Sequence, residues 1–281
     1  MKIAIVGLGL IGGSLARAIR KNTQHSIYAL DTNKETIAAA LAQEVIDGEI
    51  TAGELGRFDL VIIGLWPEPT VSFCLENADK FKKGGIVIDT CGVKTAVVSA
   101  LEAPLERAGV RFLGCHPMAG REFSGFGYSV DNLFEHASFI MTPTDRTPMT
   151  AVREISQFAY DIGFAKCVIS SPEEHDRVIA FTSQLAHIVS SAYVKSPSLM
   201  DQAGFSAGSF RDLTRVAKLN EDMWTSLFML NREPLLGEIT HIIEHLEEYR
   251  SALESEDRER LRSLLRDGRL LKEKSNESLG K

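Results

Sequence analysis

For its first 170 residues the chain alternates short apolar runs with longer stretches whose apolar positions recur at helical spacing. Lys2 to Val6, Ser26 to Leu30, Leu60 to Ile63, Gly85 to Asp89, Val110 to Leu113, Phe139 to Met141 and Lys166 to Ile169 read as strands. Runs this apolar suit strands covered on both faces. Between them, Leu15 to Arg20, Lys34 to Gln43, Val71 to Phe81, a stretch ending near Ala108, and Thr150 to Ile162 read as helices. Such alternation predicts a mostly parallel, doubly wound α/β sheet. The pattern changes at Ser171-Pro172-Glu173-Glu174, a helix start with Ser171 as N-cap, proline at N1 and Glu174 completing a capping box. From there the chain reads as helix, with breaks near Ser196-Pro197 and between Gly204 and Ser209. The first of these helices is expected to reach Lys195. Leu235 to Leu253 and Arg258 to Leu271 are amphipathic and charge-rich, and Lys272 to Lys281 reads as a frayed tail. Two domains follow, residues 1–170 and an all-α domain of residues 171–281.

The first strand runs into Gly7-Leu8-Gly9-Leu10-Ile11-Gly12, and helical composition resumes at once. GxGxxG between a strand and a helix is a dinucleotide-binding pattern, which makes the sheet Rossmann-type. Gly7 permits the tight turn, Gly9 lets a pyrophosphate approach the backbone, and Gly12 lets helix and strand pack closely. The helix N-terminus at Leu10 and Ile11 offers free N–H groups to the phosphates. A glycine-rich turn without a ligand has the same composition. Asp31 ends the second strand 19 residues after Gly12. A carboxylate there accepts from both ribose hydroxyls and repels a 2′-phosphate, so NAD is expected over NADP. Trp66-Pro67-Glu68-Pro69 reads as a loop at the end of the Leu60 to Ile63 strand, bordering the cofactor.

The Val110 to Leu113 strand delivers His116 into a Pro/Gly-broken loop, Gly114 to Glu122. Loops beyond strand carboxyl ends border the ligand crevice of an open α/β sheet, and a histidine there is placed to exchange a proton with a substrate. A loop histidine satisfied by backbone fits the same string. In the helical half Ser183, Gln184 and His187 share one 100° arc, while His175 falls about 120° from His187 and is expected to serve a different surface. Arg211 and Arg215 stand at i, i+4, so as helix they share a face suited to a dicarboxylate, or to surface arginines in water.

A formal charge of −7 argues against a nucleic-acid binder, and no stretch approaches the roughly 20 apolar residues of a membrane span. Four scattered cysteines show neither a zinc spacing nor a disulfide framework, and no metal site is expected. With no signal-peptide h-region, the expected location is cytoplasmic.

Together GLGLIGGS at 7–14, DTCGVKT at 89–95, CHPMAGRE at 115–122, EEHD at 173–176, SQLAH at 183–187 and FRDLTRVA at 210–217 resemble the prephenate dehydrogenase family, which includes arogenate and cyclohexadienyl dehydrogenases. The resemblance covers nearly the whole chain. It implies a Rossmann domain followed by a helical dimerisation domain, a homodimer, and NAD-dependent oxidative decarboxylation of prephenate in tyrosine biosynthesis. It also implies His116 as the residue that bonds the ring hydroxyl, Arg215 as the carboxylate anchor with Arg211 auxiliary, and His187 as a second cleft histidine. Glu122 and Trp224 fall where some members place a gating glutamate and a cleft tryptophan. Two positions depart from the pattern. Many relatives carry serine where this chain has Gly92, a role Thr90 or a water is expected to fill. Gln184 stands where relatives often have histidine. Alternatives are an arogenate or dual-specificity cyclohexadienyl enzyme, a β-hydroxyacid dehydrogenase, and a non-catalytic NAD-binding sensor, the last motivated by Gly92. No room is expected for an ACT-type or chorismate mutase segment.

Overall fold

The computed structural model describes residues 1–121 and 123–278. Eight strands form one sheet: β1 Lys2–Val6, β2 Ser26–Leu30, β3 Gly48–Glu49, β4 Leu60–Ile63, β5 Ile86–Asp89, β6 Arg111–Pro117, β7 Ser138–Thr142 and β8 Lys166–Ile169. Their order is β3-β2-β1-β4-β5-β6-β7-β8, parallel throughout except where β7 runs against β6. The order reverses at β1, which puts a crevice at the carboxyl ends of β1 and β4. Helices α1 Leu10–Asn22, α2 Lys34–Ala42, α3 Pro67–Glu76, α4 Thr95–Arg107 and α5 Met149–Asp161 alternate with the strands. Side chains alternate across β1: Ile3 and Ile5 join Leu15, Ile19, Ile155 and Phe158 on one face. Ala4 and Val6 join Cys74, Val97 and Leu101 on the other. Both faces are thus covered, as the apolar runs require.

Several elements differ from the sequence expectation. β6 continues through Pro117, so His116 lies within the strand, next to its last residue, and pairs with Ile140 of β7. The antiparallel neighbour supplies the backbone partners that keep the strand extended past Leu113. Trp66 and Pro67 are not free loop: Trp66 is the N-cap and Pro67 the first residue of α3. The helix expected from Ser171 to Lys195 is α6 Pro172–Ile179, a π-helical turn Ala180–Leu185, and α7 Ala186–Tyr193. Ser171 caps α6 through the Glu174 N–H, but the Glu174 carboxylate accepts from Ser170 rather than closing the box. Helices α8 Gly208–Thr214 and α9 Glu221–Leu230 follow.

Residues 1–231 form one compact unit and residues 232–281 a second. In the second, α10 Arg232–Glu254 and α11 Arg258–Ser278 run as a helical hairpin, and α11 takes in most of the expected tail. No described helix is long and apolar enough to cross a membrane.

Candidate active site

At the first crossover Gly7 has φ +90°, a conformation that glycine adopts without strain. A β-carbon at Gly12 would sit 1.9 Å from the Gly7 carbonyl oxygen, so only glycine lets α1 approach β1 this closely. Gly9, the N-cap of α1, faces open space, and no side chain caps the helix. The first N–H groups of α1, Leu10 and Ile11 among them, are therefore available to an anion. Asp31 takes N–H bonds from Leu8 at 2.7 Å and Asn33 at 2.8 Å, one on each carboxylate oxygen. These bonds aim the carboxylate across the turn while each oxygen keeps a lone pair for a hydroxyl. The cradle fits a dinucleotide with an unsubstituted ribose. Trp66 is 47% exposed at the neighbouring β4–α3 junction, above buried Pro67.

Next to it, the carboxyl ends of β5 and β6 are locked by a buried ion pair. Lys94, 0% exposed, binds the Asp89 carboxylate and donates to the Cys115 carbonyl at 2.6 Å. Asp89 in turn accepts from the N–H groups of Cys91 and Cys115. The backbone on both sides of the β5–α4 turn is thus held, and His116 follows immediately.

The His116 Nδ1 lies 2.9 Å from His175 Nε2, and His175 Nδ1 lies 2.8 Å from Asp176 Oδ1. Asp176 also accepts from the N–H groups of Lys94 at 2.7 Å and Thr95 at 2.8 Å, where α4 begins. Burial opposes the Asp176 charge, but bonds from His175, Thr95 and Lys94 outweigh it and hold its carboxyl below the usual range. His116 is pushed well below the ordinary imidazole range by burial first, then by His175 and Lys94, with Asp176 acting the other way. It is neutral at pH 7. His175 thus touches the candidate base. A π-helical turn with i→i+5 bonding at Ala180–Leu185 lies between His175 and His187, so the two are not on one unbroken α-helix.

His187 donates from Nδ1 to the Ser183 carbonyl at 2.8 Å and stacks on Trp224, ring centroids 3.8 Å apart. Burial lowers its pKa, Ser183 opposes that shift, and the Arg215 charge adds to it. Arg215 follows the last residue of α8, and its N–H donates to the Arg211 carbonyl, so the two arginines are one helical turn apart as expected. Gln184 is buried: Asn231 donates to its oxygen at 2.7 Å and its own amide reaches the Leu227 carbonyl at 3.3 Å. The Thr90 hydroxyl donates to the Ile63 carbonyl at 3.1 Å. A β-carbon placed on Gly92 would lie 3.9 Å from His116 Nε2 and 3.7 Å from Leu227. Glu122 lies outside the described residues.

Residues 15–168 match the family model for the prephenate dehydrogenase nucleotide-binding domain, and residues 171–267 the model for its dimerization domain. The chain belongs to the prephenate dehydrogenase family. It is 34% identical to prephenate dehydrogenase of Bacillus subtilis over 92% of this chain and 72% of the relative. It is 32% identical to cyclohexadienyl dehydrogenase of Zymomonas mobilis over 91% and 89%. The crystal structure of A. aeolicus prephenate dehydrogenase in complex with hydroxyphenyl propionate and NAD+ superposes with a TM-score of 0.87 at 30% identity, covering 98% of both chains.

Among the groups just described, His175, Asp176, Lys94, Asp89 and Asn231 had no expected role in the site. In the family strings DTCGVKT and EEHD the first four are visible as residues, yet nothing in their spacing brings them together; only the tertiary fold does.

Proposed function

We propose that this prephenate dehydrogenase family member oxidises prephenate with NAD+ and releases CO2, forming 4-hydroxyphenylpyruvate. NAD+ held by Gly7, Gly9, Leu10, Ile11, Gly12 and Asp31, and bordered by Trp66 and Pro67, supplies the hydride acceptor. The observation that carries the reading is His116: neutral, at the carboxyl end of β6, with its outer nitrogen free of protein partners among the described residues. As the ring carbinol becomes a carbonyl, Nε2 takes the hydroxyl proton, help typically worth about 10²–10⁴-fold. The electron pair of the bond to the departing carboxylate enters the ring, which aromatises. Arg215 and Arg211 hold substrate carboxylate, and the His187–Trp224 stack forms a flat wall beside the ring. Gln184 and Thr90, whose polar groups already bond protein, shape the site rather than grip the substrate; Glu122 is assigned to gating.

The functional division falls between residues 170 and 171, with α6 to α9 packed into the nucleotide-binding unit to supply substrate contacts. The chain acts as a cytoplasmic homodimer, a reading supported by the match to the family's dimerization domain. The test is purified protein with NAD+, given prephenate and arogenate separately, followed by NADH absorbance and CO2 release. Turnover with a higher kcat/KM on prephenate is expected. Preference for arogenate transfers the assignment to that substrate, and no reduction with either overturns it.

A further inference from the structure

His116 ends a hydrogen-bonded chain that begins at the N-terminus of α4. The Asp176 carboxylate accepts from Lys94, Thr95 and His175. Because it can only accept, the proton between it and the ring sits on His175 Nδ1. When that is the only proton His175 carries, its Nε2 is an acceptor, and His116 Nδ1, 2.9 Å away, donates to it. In that arrangement His116 Nδ1 carries hydrogen and Nε2 does not. Among the described residues the His116 ring makes no other hydrogen bond. Gly92, where a β-carbon would lie 3.9 Å from Nε2, has no side chain with which to orient it, and the Thr90 hydroxyl is turned to Ile63.

We propose that Asp176 and His175 are positioning residues for His116. They hold it in the tautomer that leaves Nε2 open, and they take up part of the positive charge when Nε2 accepts the substrate proton. The proposal rests on the reading of His116 as the base. In that step the substrate O–H bond breaks and an Nε2–H bond forms, while the hydride passes to NAD+ and CO2 departs. The Nδ1 hydrogen shifts toward His175 Nε2, so the charge spreads over two imidazoles facing one carboxylate. The other charged groups beside this chain among the described residues are Lys94 at the start of α4, whose charge opposes protonation of His116, and its ion-pair partner Asp89 of β5. Asp176 is the charge that favours the imidazolium. An aspartate that fixes a histidine tautomer in this way can govern turnover by several powers of ten.

Two substitutions separate orientation from charge. His175→Leu removes the acceptor. His175→Gln keeps a carbonyl that His116 Nδ1–H can reach but cannot become cationic. With 15N-histidine label in the substrate-free protein above neutral pH, His116 should be the Nδ1–H tautomer in the wild type and in the Gln variant. An Nε2–H population should appear in the Leu variant. In turnover, His175→Leu should lose about 10²-fold or more in kcat with KM for NAD+ nearly unchanged, and His175→Gln should recover part of that loss. Wild-type kcat in the Leu variant, or an Nε2–H tautomer in the wild type, overturns the proposal. Should the Leu variant not fold, the wild-type spectrum still decides. Should the wild type turn over neither substrate, the functional assignment fails while the tautomer result stands by itself.

Discussion

His116 must be neutral to work, and its surroundings keep it so. Burial and the neighbouring Lys94 and His175 lower its pKa, so the unprotonated ring persists to pH values below the ordinary histidine range near 6.5. The sign follows: kcat should be flat around neutrality and fall only as pH drops through that lowered value, where Nε2 is protonated. His116→Asn should lose about 10²-fold in kcat and lose the acidic limb, while NAD+ affinity in a fluorescence titration stays intact. Near-wild-type turnover with the same profile would assign the base elsewhere, His187 being the next neutral histidine. This residue was legible from sequence because a histidine beside Pro-Met-Ala-Gly after an apolar strand has few places to go. Asp31 and the glycines were legible because a nucleotide cradle is local, with all its parts within one strand–helix–strand unit.

Elements explain what was not legible. The sequence shows where a strand begins more clearly than where it ends, since β6 owes its last residues to an antiparallel partner some twenty residues away. Likewise the π-helical turn has no hydrophobic signature of its own, and it interrupts the single helix that the sequence predicts between His175 and His187. Lys94 reads as an ordinary polar residue before a helix, yet it is the buried clamp between β5, β6 and α4. Lys94→Met should leave Asp89 buried and uncompensated, at a cost of about 3–5 kcal/mol. Urea unfolding of the NAD-free protein checks this. A loss below about 1 kcal/mol would mean that the ion pair is dispensable and that the hydrogen bonds of Asp89 to Cys91 and Cys115 hold the junction alone.

For the whole molecule, association is the property to test. Within the α10–α11 hairpin, Ile243, Leu246 and Leu253 lie within about 100° of arc on α10 and are each more than half exposed. Apolar stripes of this kind on a single hairpin ordinarily meet another surface. Sedimentation at micromolar concentration should give a dimer, and Leu246→Glu should shift it toward monomer. A wild-type monomer refutes the homodimer, and a dimer untouched by Leu246→Glu moves the interface off this face. The alternation of strands and helices, and the switch to helix after Ser171, were readable at this scale because they are properties of long windows. The compact unit extending to Asn231 was not, since it depends on tertiary packing such as that of α6 on α4.

Asn231 has one more consequence, in time rather than space. Its amide donates to the Asp176 carbonyl and to Gln184, closing the segment that carries His175. During synthesis the nucleotide cradle is complete in sequence once Asp31 has been added, whereas the segment that carries His175 is closed by a residue 200 positions later. At about 5–20 residues per second, that interval is roughly 10–40 s. A nascent chain can therefore hold a finished cofactor turn well before it holds a finished acid–base pair, and catalysis is among the last properties the growing polypeptide acquires.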